Sequence, residues 1–132
     1  MFGLKPVPVV LATLAFWFLG FLWYGVIFQS AWMAGHGLSA DDAGGFDIYM
    51  AGGILTSLLQ VLGIGLILKW RNGSGVGDAV KTALTIWVLI ALPLMMYAYL
   101  YLPAHNSTLL MIDASHLLVG WVVSAVILTV MK

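Results

Sequence analysis

Four apolar stretches of membrane-spanning length leave this chain few ways to fold. A bilayer core of about 30 Å is crossed by roughly 20 residues of helix. Residues 7–28, 48–68, 82–102 and 109–131 each reach that length. In lipid every backbone N–H and C=O needs a partner inside the protein, so such stretches fold as helices. Hydrophobic residues make up 63% of the 132 and charged residues only 8%. A soluble domain has roughly a quarter of its residues charged, so a water-soluble enzyme is excluded. The expected fold is an all-α membrane protein: one antiparallel four-helix transmembrane bundle over residues 1–132. A formal charge of zero offers nucleic acid no hold. The chain has no cysteine, which excludes disulfides, thiol redox chemistry and cysteine-based metal sites.

The first stretch reads as a retained span, because its apolar run exceeds the ~7–15 residues of a signal-peptide core. Lys5, Lys69, Arg71, Lys81 and Lys132 then fall on one side of the bundle, and Asp41, Asp42 and Asp47 on the other. The positive-inside rule places both termini in the cytoplasm. Trp23, Tyr24, Trp32, Tyr49, Tyr97, Tyr99 and Tyr101 crowd the outer end, and Trp70 marks the inner one, as aromatic belts do. The outer loop, 29–47, is the longest. Within it Ser39-Ala40-Asp41-Asp42 reads as a helix start, with Ser39 as cap. The glycine-rich inner loop from Arg71 to Asp78 lacks the strand and the Gly-Lys-Ser/Thr ending of a phosphate loop. It reads as a turn, with Asp78 capping the third helix. Pro93 is expected to kink the third span, and Pro103 to end it.

Polar and small residues recur at helical spacing inside the spans. Asp113, His116, Gly120 and Ser124 share one face of the fourth span. Tyr49, Gly53, Thr56, Gln60 and Gly63 do so in the second, and Thr13, Trp17, Gly20 and Tyr24 in the first. These faces are expected to turn inward, where small residues allow close approach and polar ones bond across the interface. Gln60, Thr56 and Ser124 are read as mid-membrane packing groups.

Asp113 demands more. A carboxylate at mid-membrane costs about 2.5–3.5 kcal/mol on insertion scales, and less near the interface. No Lys or Arg lies on its side of the bundle. The available partners are His116 one turn away, His36 and His105 in the outer loops, the tyrosine hydroxyls, and the Trp23 and Trp32 indoles. Two expectations stand side by side: a hydrogen-bonded packing carboxylate, or an outward-facing pocket in which Asp113 and His116 share a proton. His36, His105 and His116 also share the outer side with Met33, Met50, Met95, Met96 and Met111. Imidazole and thioether suit copper, but no tight motif links these residues, and no metal is expected. A two-haem electron carrier would need four axial histidines on facing helices, and only His116 lies inside a span, so no cofactor is expected.

The run Trp23-Tyr24-Gly25-x-x-Phe28-x-x-Ala31-Trp32-Met33 is followed by Gly37-Leu38-Ser39-Ala40-Asp41-Asp42, and later by Ile112-Asp113 and His116-Leu117-Leu118. With these motifs the chain resembles, over almost its whole length, a family of small bacterial four-span membrane proteins of unknown function. It departs from that pattern at Val26 and Ser30, where members carry a proline and a basic residue. The resemblance implies a four-span fold and the bacterial inner membrane, and no activity. With no nucleophile–base pair, metal motif or cofactor signature in view, the favoured function is a non-catalytic binding, assembly or accessory component. Its partners would be membrane lipid and either another membrane protein or a second copy. The alternatives are a homodimeric proton-coupled transporter and a lipid- or quinone-modifying enzyme with His116 as base.

Overall fold

The computed structural model describes residues 2–39 and 48–132. Every regular element among them is helical. Four helices are long and apolar enough to cross a membrane: Pro6–Ile27, Ala51–Arg71, Val76–Tyr101 and Ser107–Val130. They are called the first to fourth spans. The helix of the second begins at Ile48. The helix start expected at Ser39–Asp42 runs into residues outside those described.

Local sequence explains the irregularities. The first span opens on a proline-bearing turn, where the missing N–H has no partner to lose. It closes in a π-turn, Trp23–Ile27, in which Phe28 N–H donates to the Trp23 carbonyl at 2.9 Å. A short helix, Gln29–Gly35, follows. A second π-turn, Trp87–Ala91, interrupts the third span just before Pro93. Pro93 has no N–H for the Leu89 carbonyl and its ring crowds that oxygen; widening the turn relieves both. The disturbance expected at Pro93 takes this form.

The fourth span is central. It packs against the other three, while the second packs on the first and barely meets the third. Lys132 Nζ donates to the Gly73 carbonyl at 3.4 Å, and Gly3 lies against Lys69. Both termini and the 72–75 turn therefore share one end, called proximal here, and the four spans run antiparallel. Val9, Ala12 and Phe16 of the first span meet Val61 and Ile64 of the second and Ala125 and Leu128 of the fourth in the core. A Cβ at Gly120 would overlap the Phe16 ring. Glycine at that position is what lets the first and fourth spans close on each other.

The face expected to turn inward on the second span is offset. Gly53 packs on Trp17, but Tyr49 is 86% exposed and Gly63 has open space beside it. The buried side chains are Ser57, Val61, Leu62 and Ile64, and the close-approach glycine is Gly65, set against Leu4 and Leu128. The reason is the lopsided bundle: with almost no contact to the third span, the polar edge of the second is left at the surface. In the proximal turn Gly75, at φ +86°, precedes the helix of the third span and makes no side-chain cap. Asp78 is not the cap; it sits in the first turn, where it favours the helix dipole, and pairs with Arg71 at 3.0 Å. Arg71 also donates to the Thr82 hydroxyl.

Candidate functional site

The distal end is organised by the start of the fourth span. Asn106 caps it, accepting from Leu109 N–H at 3.1 Å and satisfying one of the donors a helix start leaves open. Gly35 lets the short helix lie against this first turn: a Cβ there would stand 2.8 Å from Leu109.

Two side-chain bonds then pin the π-turn of the first span to the fourth. Tyr24 donates its hydroxyl to Asp113 Oδ1 at 2.5 Å, and Trp23 donates its indole N–H to Ser115 Oγ at 2.9 Å. Ser115 passes its own proton to the Ile112 carbonyl at 3.0 Å. A π-turn spreads its side chains over a wider loop than an α-turn, so two consecutive residues can address the same neighbouring helix. Trp32 meets Tyr24 edge-on at 5.8 Å between ring centroids, and His36 in turn packs on Trp32 at 4.5 Å.

His116 follows Ser115 and points into a nest of rings. Its centroid lies 5.1 Å from Tyr24, 5.3 Å from Phe16 and 6.4 Å from Trp23. Asp113 is committed to Tyr24 rather than to His116. The His116 Nε2 atom is sealed from solvent and has no hydrogen-bond partner among the described residues. It faces Gly20, where a Cβ would stand 3.3 Å away. Ser124 Oγ, two turns further along, is the other buried polar side-chain atom without a partner among the described residues.

His116 and Gly20 form one wall of a cavity of about 510 Å³. Phe16, Trp17, Phe21 and Tyr24 of the first span, Trp32 and Met33 of the short helix, and Thr56 and Gln60 of the second complete it. No Lys, Arg, Asp or Glu lines it among the described residues. Gln60 is tied at both ends of its amide: it accepts from the Trp121 indole at 2.7 Å and donates to the Thr56 carbonyl at 3.3 Å.

The expected site residues thus divide. Trp23, Tyr24, Trp32, Asp113 and His116 come together, with His36 behind Trp32. His105 does not join them. It is exposed, and its Nδ1 lies 2.7 Å from the Tyr99 carbonyl. Among the described residues no three His, Cys, Asp or Glu side chains gather as a metal site would require. Ser115, Phe16 and Trp87, whose indole donates to the Ala114 carbonyl at 2.9 Å, were not singled out by sequence. Ser115, lying between two ionisable residues, was the one with a visible signal.

A helical bundle with four apolar spans and an aromatic distal clamp defines a multi-pass membrane protein. The chain belongs to the family described as "Protein of unknown function (DUF1761)", whose model matches residues 7–129. No curated protein and no solved structure matches it.

Proposed function

We propose that this protein is a non-catalytic binding component of the membrane, and that its distal cavity holds a neutral lipid alcohol. The observation that carries this reading is His116 Nε2. An imidazole nitrogen cut off from water and from protein partners costs about 1–3 kcal/mol, and such an atom in a native fold calls for an explanation. A turn of the His116 ring towards the cavity beside it supplies one. A hydroxyl head group serves whichever nitrogen carries the proton, since it both donates and accepts. The absence of charged lining side chains among the described residues favours a neutral ligand, and the walls of Phe16, Trp17 and Phe21 suit an apolar body.

The test is native mass spectrometry of the protein extracted in mild detergent, with identification of the lipids it retains. A hydroxyl-bearing neutral lipid is expected on the native chain. In His116→Phe its retention is expected to fall about tenfold, the equivalent of one lost hydrogen bond. Unchanged retention in that variant, or a native chain that carries only bulk phospholipid, overturns the assignment.

The same reading places the protein in a bacterial inner membrane with its proximal end in the cytoplasm. Its support is the gathering of all five Lys and Arg residues towards that end. Because the chain has no cysteine, single introduced thiols report cleanly. A membrane-impermeant maleimide is expected to label Ser107→Cys in intact cells, and Ser74→Cys only after permeabilisation. The opposite pattern reverses the topology.

A further inference from the structure

A second cavity, of about 290 Å³, lies at the proximal end, well away from His116. Three of the five cationic residues of the chain line it: Lys5 from the N-terminal segment, Lys69 from the end of the second span and Lys132 from the end of the chain. They arrive from three separate elements, so their convergence is a product of the fold and not of one basic run. Asp78 is the one carboxylate side chain lining the cavity among the described residues, and Arg71 holds it at 3.0 Å. That pairing leaves the charge of the three lysines around the cavity uncompensated by Asp78. Leu4, Leu68 and Leu128 line the apolar part. The Lys69 ammonium is seated against the backbone of Gly3, which has φ +81° and no room for a Cβ.

We infer that this cavity binds the phosphate of an anionic phospholipid in the leaflet at the proximal surface. Lysine ammonium groups bind phosphate as compact point charges, and each basic side chain near an anionic leaflet contributes attraction of its own. The three leucines distinguish a lipid from a free anion, because they offer a surface to the first methylenes of an acyl chain where free phosphate would gain nothing. Phosphatidylcholine carries the same phosphate, but its quaternary ammonium would stand among three other cations. The site therefore selects a head group with net negative charge. This inference is independent of the lipid-alcohol reading, since none of its residues lines the distal cavity.

The experiment uses the full chain in nanodiscs of phosphatidylcholine with a minor fraction of phosphatidylglycerol, followed by native mass spectrometry of the ejected protein–lipid complexes. Phosphatidylglycerol is expected to be retained over phosphatidylcholine. Lys69→Gln and Lys132→Gln are each expected to lower that preference about fivefold. Gly3→Ala changes no charge, yet it displaces the Lys69 ammonium and is expected to act in the same direction. Lys81→Gln removes a charge near the same end but outside the cavity, and is expected to change the preference less than twofold. An effect of Lys81→Gln equal to that of Lys69→Gln would reduce the attraction to a diffuse surface field and overturn the site, as would an absence of any preference. Displacement of phosphatidylglycerol by inorganic phosphate at comparable concentration would overturn the lipid as the source while upholding the phosphate site.

Discussion

Gly120→Leu is expected to prevent the bundle from closing, with a loss of about 3 kcal/mol or more in a reversible detergent-unfolding experiment. A Cβ at Gly120 would already overlap the ring of Phe16, and Phe16 is 1% exposed at the centre of the core. Overpacking a tight interior usually costs about 1–3 kcal/mol. Here the cost lies towards the upper end, because the ring is packed on its core side and can yield only by moving into the cavity whose wall it forms. Val9 and Ala12 on its own span and Ala125 on the facing one are all 0% exposed. In lipid there is little hydrophobic force to hold helices together, so their association rests on close packing of this kind. The control is Gly63→Leu in the same system. That glycine faces open space on the second span, and its replacement is expected to be neutral or mildly stabilising through helix propensity. Equal effects at the two glycines would show that Phe16 does not fill the notch at Gly120.

How far the sequence could be read depended on whether a residue's role is set by its own helix or by a neighbour. Span number and helicity follow from local composition. Four runs of apolar residues can satisfy their backbones in lipid only as helices, and they do so here. The shared face of Gly120 and Ser124 was legible because small residues at helical spacing have few uses other than close approach. The face of the second span was misjudged, with Tyr49 and Gly63 placed inward. The true face, through Ser57, Val61 and Ile64, depends on the second span meeting the first and fourth but hardly the third. Periodicity carries no such information. The polar groups divide in a related way. Thr13 and Thr56 hydrogen-bond carbonyls four residues back in their own helix, as hydroxyls in helices do. Away from the Arg71 pair, the bonds between spans come from the Tyr24 hydroxyl, to Asp113, and from indoles: Trp23 to Ser115, Trp87 to Ala114 and Trp121 to Gln60. In a sequence an indole reads as a member of an interfacial belt, and only the position of an acceptor on the next helix shows otherwise.

The same dependence on a neighbour governs Asp113. Its two open roles, packing carboxylate or proton partner of His116, predict different couplings. The structure gives Asp113 to Tyr24 through a short bond of 2.5 Å. A double-mutant cycle between Tyr24→Phe and Asp113→Ala is therefore expected to yield a coupling of about 1–2 kcal/mol, near the top of the range for side-chain bonds between membrane helices. Each single variant leaves a polar group without its partner, so the double variant is expected to be no less stable than the worse single one. The cycle between Asp113→Ala and His116→Phe is expected to give clearly less. A larger coupling of Asp113 with His116 than with Tyr24 would restore the proton-sharing pair and remove the packing role. The consequence reaches the cavity. Tyr24 lines it and meets the His116 ring at 5.1 Å, and the Trp23–Ser115 bond lies directly beside the Tyr24–Asp113 bond on both helices. Cutting the tyrosine bond leaves the first span held at that end by the indole alone, so the wall carrying His116 loosens. Tyr24→Phe is accordingly expected to lower retention of a lipid alcohol even though its own hydroxyl is spent on Asp113. Asp113→Asn, which keeps an acceptor for that hydroxyl, is expected to lower it less. The order of those two variants separates a carboxylate that holds the cavity in shape from one that works inside it.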